Sequence, residues 1–174
     1  WCLAFLFKVL PMLICTLLLI ATYFDLHSRE VPTWLTLTML VGSGVYAIYH
    51  SLWMPSLLTI ALCLISEMVI PFQRRSFAVV ISGFSAIFQP ATAIICLALF
   101  TIWLLWDLGH MGGADMKLMI AATLAFGNPA VLIPITIVGG FQGAVALLRK
   151  QTSVPYVLSI FLGTLFYTLA PLIL

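Results

Sequence analysis

Long apolar runs, cut by short polar or proline-marked turns, make up almost all of this chain. The first runs from about Leu3 to Phe24 and stops at Asp25-Leu26-His27-Ser28-Arg29-Glu30-Val31-Pro32-Thr33-Trp34, where the polarity of the first third is concentrated. Pro32 fits the first turn of a new helix and Trp34 fits a membrane interface, which puts Asp25 in the last turn of helix one. A second span covers about Trp34 to Tyr49, followed by an uncharged turn from His50 to Ser56. A third covers about Leu57 to Phe72 and ends at Arg74-Arg75. The block from Ser76 to Trp106 is too long for one ordinary helix, and Gln89-Pro90 interrupts it because proline removes a helix hydrogen bond. It divides into a short piece, Phe77 to Phe88, and a full span, Ala91 to Trp106. The short piece falls well below the roughly 20 residues that cross a bilayer, and reads as a thin span or a re-entrant arm. Further spans are expected at about Asp115 to Phe126, Ala130 to Leu148 and Pro155 to Ile173. The turns between them are Gly127-Asn128-Pro129 and Arg149-Lys150.

Composition makes these runs membrane spans instead of buried core helices. Of 174 residues, 64% are hydrophobic and 7% charged, with a mean hydropathy of +1.23, whereas a soluble domain carries about a quarter charged residues. The expected fold is an all-α, polytopic transmembrane helical bundle of about six to eight spans. Residues 1–174 would form a single membrane-embedded domain with no room for a separate soluble one. The first run is too long and too apolar for a signal peptide, Lys8 can snorkel to the interface, and the opening Trp1 suggests a few residues ahead of it. A net charge of +2 gives no sign of a nucleic-acid partner. Cys2, Cys15, Cys63 and Cys96 are scattered inside apolar runs without a CxxC pair, so no metal and no cofactor is expected.

Charge then orients the spans. Arg29, Arg74, Arg75, Lys117, Arg149 and Lys150, six of the seven basic residues, fall at alternate turns. The positive-inside rule makes those turns cytoplasmic and the N-terminus external. The pattern requires the Phe77–Phe88 piece to leave and return with its neighbour, and it places Asp25 and Asp115 at one membrane face.

An acid within a membrane helix costs about 3 kcal/mol and is a functional candidate for that reason. Asp115 sits in Gly112-Gly113-Ala114-Asp115-Met116-Lys117-Leu118, behind three small residues that permit a bend and close approach of another helix. Asp25 is the second acid at the same face. Two neighbouring carboxylates do not both ionise cheaply, so they share a proton and titrate together. The ionised member can activate a water and the protonated member can polarise a peptide carbonyl. The plainer reading is that each acid snorkels or caps at a helix end, Asp25 with Arg29 and Asp115 with Lys117.

Two blocks resemble the type IV prepilin and preflagellin peptidases, membrane aspartic proteases of the GxGD type. Asp25-Leu26-His27-Ser28-Arg29-Glu30-Val31-Pro32-Thr33-Trp34-Leu35-Thr36 is similar to that family's D-x-x-x-R-x-[IV]-P-N-x-L-T. The run from Gly112 to Leu118 is similar to its G-x-[GA]-D-x-K-L, and Val154-Pro155-Tyr156 to its I-P-[YF]. Thr33 stands where the family has asparagine, and Ala114 where it has a second glycine. The resemblance implies that Asp25 and Asp115 are the catalytic pair. Gly112, Gly113, Ala114, Lys117, Arg29 and Pro32 would support the motifs, and Pro155 and Tyr156 would be substrate-side. It implies hydrolysis of the short basic leader of a pilin-like or archaellin-like precursor at the cytoplasmic face of the inner membrane. The zinc-binding cysteine loop of the larger methylating members is absent, so a peptidase-only short form is expected.

Two other classes stay open on the residues alone. A proton- or ion-coupled transporter would use Asp25, Glu67 and Asp115 as a relay, although it would need acids near the midplane. A non-catalytic membrane assembly protein would tolerate asparagine at either aspartate. Glu67 reads as a mid-span acid able to pair with Arg74 or Arg75, Asp107 as an interfacial acid, and His27 and His50 as interface residues.

Overall fold

Helix is the form every apolar run takes, because a backbone surrounded by apolar side chains satisfies its own polar groups best within a helix. The computed structural model describes the backbone of residues 2–150 and 155–173 and the side chains of residues 12–150 and 155–170. Val154 and the side chains of Cys2 and Lys8 lie outside the described residues. The helices are α1 (Cys2–Ser28), α2 (Thr33–Tyr49), α3 (Trp53–Ile65), α4 (Pro71–Phe88), α5 (Ala93–Asp107), α6 (Gly113–Phe126), α7 (Leu132–Leu148) and α8 (Tyr156–Ile173). Single 3-10 turns, Pro90–Thr92 and Pro129–Val131, lead into α5 and α7. The described residues contain no strand. With those lead-in turns, Pro90–Asp107 and Pro129–Leu148 are long and apolar enough to cross a membrane by length and composition.

The boundary between the third and fourth elements differs from the sequence reading. The third helix stops at Ile65, and residues 66–70 form the turn. α4 starts at Pro71, where proline's fixed φ and missing N–H suit a first helical turn. The expected dozen-residue piece at Phe77–Phe88 is therefore an 18-residue helix, about 27 Å long. Arg74 and Arg75 lie within that helix instead of ending the third one, and Asp107 on α5 pairs with both there. Glu67 lies in the 66–70 turn and is exposed, not mid-span, and both arginines close on Asp107 instead of on it. Pro32 is likewise one position earlier than expected. It is the N-cap of α2, and its carbonyl accepts from the Leu35 and Thr36 amides.

At the centre stands α6. From Leu118 to Ala125 every residue is buried, whatever its direction around the helix, so α6 is enclosed on all sides. It packs against α1, α2, α3, α5 and α8. Ala121, Ala122 and Ala125 keep its girth small, which lets these neighbours approach. The outside is as apolar as the inside. Ile94, Leu97, Ile133, Ile137 and Phe141 each expose 60% or more of their surface, a pattern that suits a hydrocarbon surround.

Polar links between helices are few and specific. Trp103 Nε1 donates to Ser66 Oγ at 3.0 Å, joining α5 to the turn after α3. Cys15 Sγ and Thr168 Oγ1 meet at 3.6 Å between α1 and α8. Ser159 Oγ donates to Gln142 Oε1 between α8 and α7. The same two helices touch backbone to side-chain root. A Cβ on Gly163 would collide with the Ile135 backbone, so only glycine permits this separation.

Candidate active site

Asp115 is placed by a short loop that is fixed at both ends. α5 ends in paired reverse hydrogen bonds, Gly109 N–H to Trp106 O and His110 N–H to Leu105 O, each 2.9 Å. Gly109 has φ +77°, the left-handed conformation this helix ending requires and glycine adopts without strain. Three residues later Gly112 is the N-cap of α6, with extended backbone. Asp115 is the third residue of that helix, and its carboxylate takes a backbone hydrogen bond from Gly112. This is the returning half of a capping box, formed by aspartate. The carboxylate curls so closely over the N-cap that a Cβ on Gly112 would meet Asp115 Oδ2 at 3.0 Å.

Gly113 is also crowded, since a Cβ there would lie 3.4 Å from Trp106 Nε1. Trp106 in turn lies under the Arg74 guanidinium, whose Cζ is 5.9 Å from the ring centroid. Arg74 and Arg75 both bind Asp107, Arg75 through Nε at 2.6 Å from Oδ2. The Asp107 side chain is fully buried. It is a structural acid that ties α4 to α5 immediately before the motif loop.

Asp25 lies in the last turn of α1, as its place before the polar turn implies. The Arg29 amide donates to the Asp25 carbonyl at 3.1 Å, Arg29 itself being left-handed at φ +59°. The Arg29 guanidinium acts electrostatically on the Asp25 carboxylate, and Val157 gives that carboxylate a backbone hydrogen bond. Val157 lies in the first turn of α8, where amides have no partner within the helix and favour a negative charge. Asp25 thus caps α8 from another helix. Its Oδ2 is buried and has no hydrogen-bond partner among the described residues.

Asp25 and Asp115 lie at the same end of the bundle: α1 packs on α6, and the Asp25 charge is near enough to act on Asp115. Asp115 also borders a cleft of about 420 Å³ with Leu105, His110, Met111, Gly112 and Tyr156. Tyr156 opens α8 beside Pro155 and is near enough to Asp115 to feel its charge. Lys117 is different. It is partly buried on α6 and acts on the Cys63 thiol of α3, on a side that Asp115 does not share. Ala114 is partly buried between Gly113 and Asp115. The structure therefore gathers Asp25, Arg29, Gly112, Gly113, Asp115 and Tyr156 at one end of the bundle, with Pro32 heading α2.

Three contributors have no motif of their own in the sequence. Gly109 has a signal, a glycine just past an apolar helix. Trp106 and Val157 have none, because each acts through a contact across a turn or between helices, Trp106 with Gly113 and Val157 with Asp25. Cys15, Cys63 and Cys96 are free thiols on three different helices.

A family model described as the type IV leader peptidase family matches residues 12–169, from within α1 to within α8. No curated protein and no solved structure matches the chain.

Proposed function

The chain belongs to the type IV leader peptidase family, and we propose that it is an aspartic endopeptidase in which Asp25 and Asp115 share the chemistry. Its substrate is a pilin-like or archaellin-like precursor, from which it removes the short basic leader at the cytoplasmic face of the inner membrane. The observation that carries this reading is that two acids from helices remote in sequence lie near enough to act on each other electrostatically, one of them bordering a cleft.

The reaction needs only these groups and a water. The ionised aspartate takes a proton from the water as its oxygen attacks the scissile carbonyl carbon. The protonated aspartate donates to the carbonyl oxygen, so a neutral tetrahedral diol forms. The first aspartate, now protonated, gives that proton to the peptide nitrogen while the second, now ionised, takes a hydroxyl proton from the diol; the C–N bond breaks, leaving a carboxylic acid, an amine and a pair that again holds one proton. The pair acts as one titrating unit, so neither aspartate owns the first proton. Asp25 Oδ2, buried and without a partner, is a ready acceptor for such a water.

The bundle spans the membrane several times with its N-terminus outside. Exposed aliphatic and aromatic side chains around the helices support this, as do basic residues at the end that holds Asp25 and Asp115. Lipid covers the former, and the basic residues Arg29, Arg74, Arg75, Arg149 and Lys150 lie on the cytoplasmic side. Purified protein in detergent, given a pilin precursor, should release the leader. Asp115→Asn should remain folded and lose at least about 100-fold in rate, the scale of a general acid–base group. Cleavage at the wild-type rate by that variant would refute the aspartic mechanism.

A further inference from the structure

Tyr156 borders the Asp115 cleft, yet the ring is seated by a residue outside it. A Cβ on Gly139 of α7 would lie 2.7 Å from Tyr156 Cε2 and 3.2 Å from both Cζ and the hydroxyl oxygen. The ring therefore rests on the bare backbone of α7. Three and seven residues on from Tyr156, α8 holds α7 in place, because Ser159 of α8 binds Gln142 of α7 and Gly163 meets Ile135 backbone. With α7 and α8 in contact at backbone level, a side chain at position 139 cannot be relieved by separating the helices. The ring has to move, and the open space beside it is the cleft.

We propose that Gly139 is a positioning residue that acts through Tyr156 to set the room available to the substrate residue beside the scissile bond. Tyr156 is the wall of that subsite and Gly139 fixes how far the wall stands back. The inference rests on the reading that Asp25 and Asp115 cut the peptide in this cleft.

The test is kinetic, with full-length protein and pilin precursors that carry either alanine or leucine beside the scissile bond. Gly139→Ala should lower kcat/KM for the leucine precursor about 10-fold more than for the alanine precursor, mainly through KM, the size of effect one methylene commands in a pocket. In a Tyr156→Ala background the same Gly139→Ala change should have no selective effect. Tyr156→Phe should keep the wild-type size preference, and Tyr156→Leu should shift it toward the larger residue. An equal loss for both precursors, or a selective loss that persists without the Tyr156 ring, would overturn the proposal. Should Gly139→Ala fail to fold, Tyr156→Leu alone decides: an unchanged preference refutes the subsite. Failure of the aspartic reading is seen separately, as cleavage by Asp25→Asn or Asp115→Asn.

Discussion

Asp115 folds its carboxylate back over Gly112, with Oδ2 only 3.0 Å from the place a Cβ at residue 112 would occupy. The glycine is not needed for backbone freedom, since its φ is −71° and ψ 152°, which any residue adopts. It is needed because the acid lies where a side chain would begin. The motif spacing thus encodes a position for a carboxylate, three residues into a helix and against its own N-cap.

Gly112→Ala should therefore separate activity from stability. The added methyl displaces the carboxylate or its water, while the helix start keeps its conformation. We expect a loss of about 10-fold or more in kcat, the scale reached by small misplacements of reacting groups, with the thermal midpoint in detergent nearly unchanged. Activity equal to wild type would show that the carboxylate's position over the N-cap is irrelevant.

Asp25 has two duties that substitution can divide. Asparagine keeps an oxygen that accepts from the Val157 amide but cannot act as a base. Asp25→Asn should hold nearly full stability and lose cleavage. Asp25→Ala should lose cleavage and in addition about 1 kcal/mol from the uncapped α8. Thermal unfolding of both variants, beside a leader-release assay, measures the two effects. Equal stability of the two would remove the capping duty.

Asp107 should behave in the opposite way. Its removal leaves Arg74 and Arg75 together with no acid between them, and because both arginines reach solvent while the Asp107 side chain is buried, the cost should be about 1 kcal/mol. Asp107→Ala should unfold earlier on heating. The folded fraction at low temperature should cleave with a turnover close to wild type. A stable but inactive Asp107→Ala would instead place this acid in the chemistry.

The product should carry an unmodified amino terminus. Cys15, Cys63 and Cys96 lie singly on α1, α3 and α5, and none is placed to join a four-cysteine zinc loop. Mass spectrometry of a pilin processed by this protein alone, with a methyl donor present, should find no added methyl group. An added 14 Da, the mass of about one CH₂, would overturn this expectation.

Much was legible in the chain because the governing physics is local. Apolar length, proline and charge place most helices within a few residues, and acids at the ends of apolar runs stand out at Asp25 and Asp115. The limit appears at Arg74-Arg75. A charged pair reads as a turn when the sequence offers no partner nearby, and the partner, Asp107, lies on the next helix. That long-range pairing lets the two arginines lie within the 18-residue fourth helix, which starts at Pro71, after the third ends at Ile65.

By itself, then, the sequence determined an all-helical apolar chain, two acids in family-like motifs, and the glycine-rich entry to the Asp115 helix. The tertiary structure alone decided which helix is enclosed, that Asp107 is a structural acid, and that Val157 and Tyr156 of α8 stand against Asp25 and Asp115. The reason lies in the packing. In a bundle with an apolar exterior as well as an apolar core, periodicity no longer tells inside from outside. What brings α7 and α8 into register is contact at small residues, Gly163 on Ile135 and Gly139 under Tyr156. Such contacts depend on which surfaces meet, and no single segment of the chain contains both sides of one.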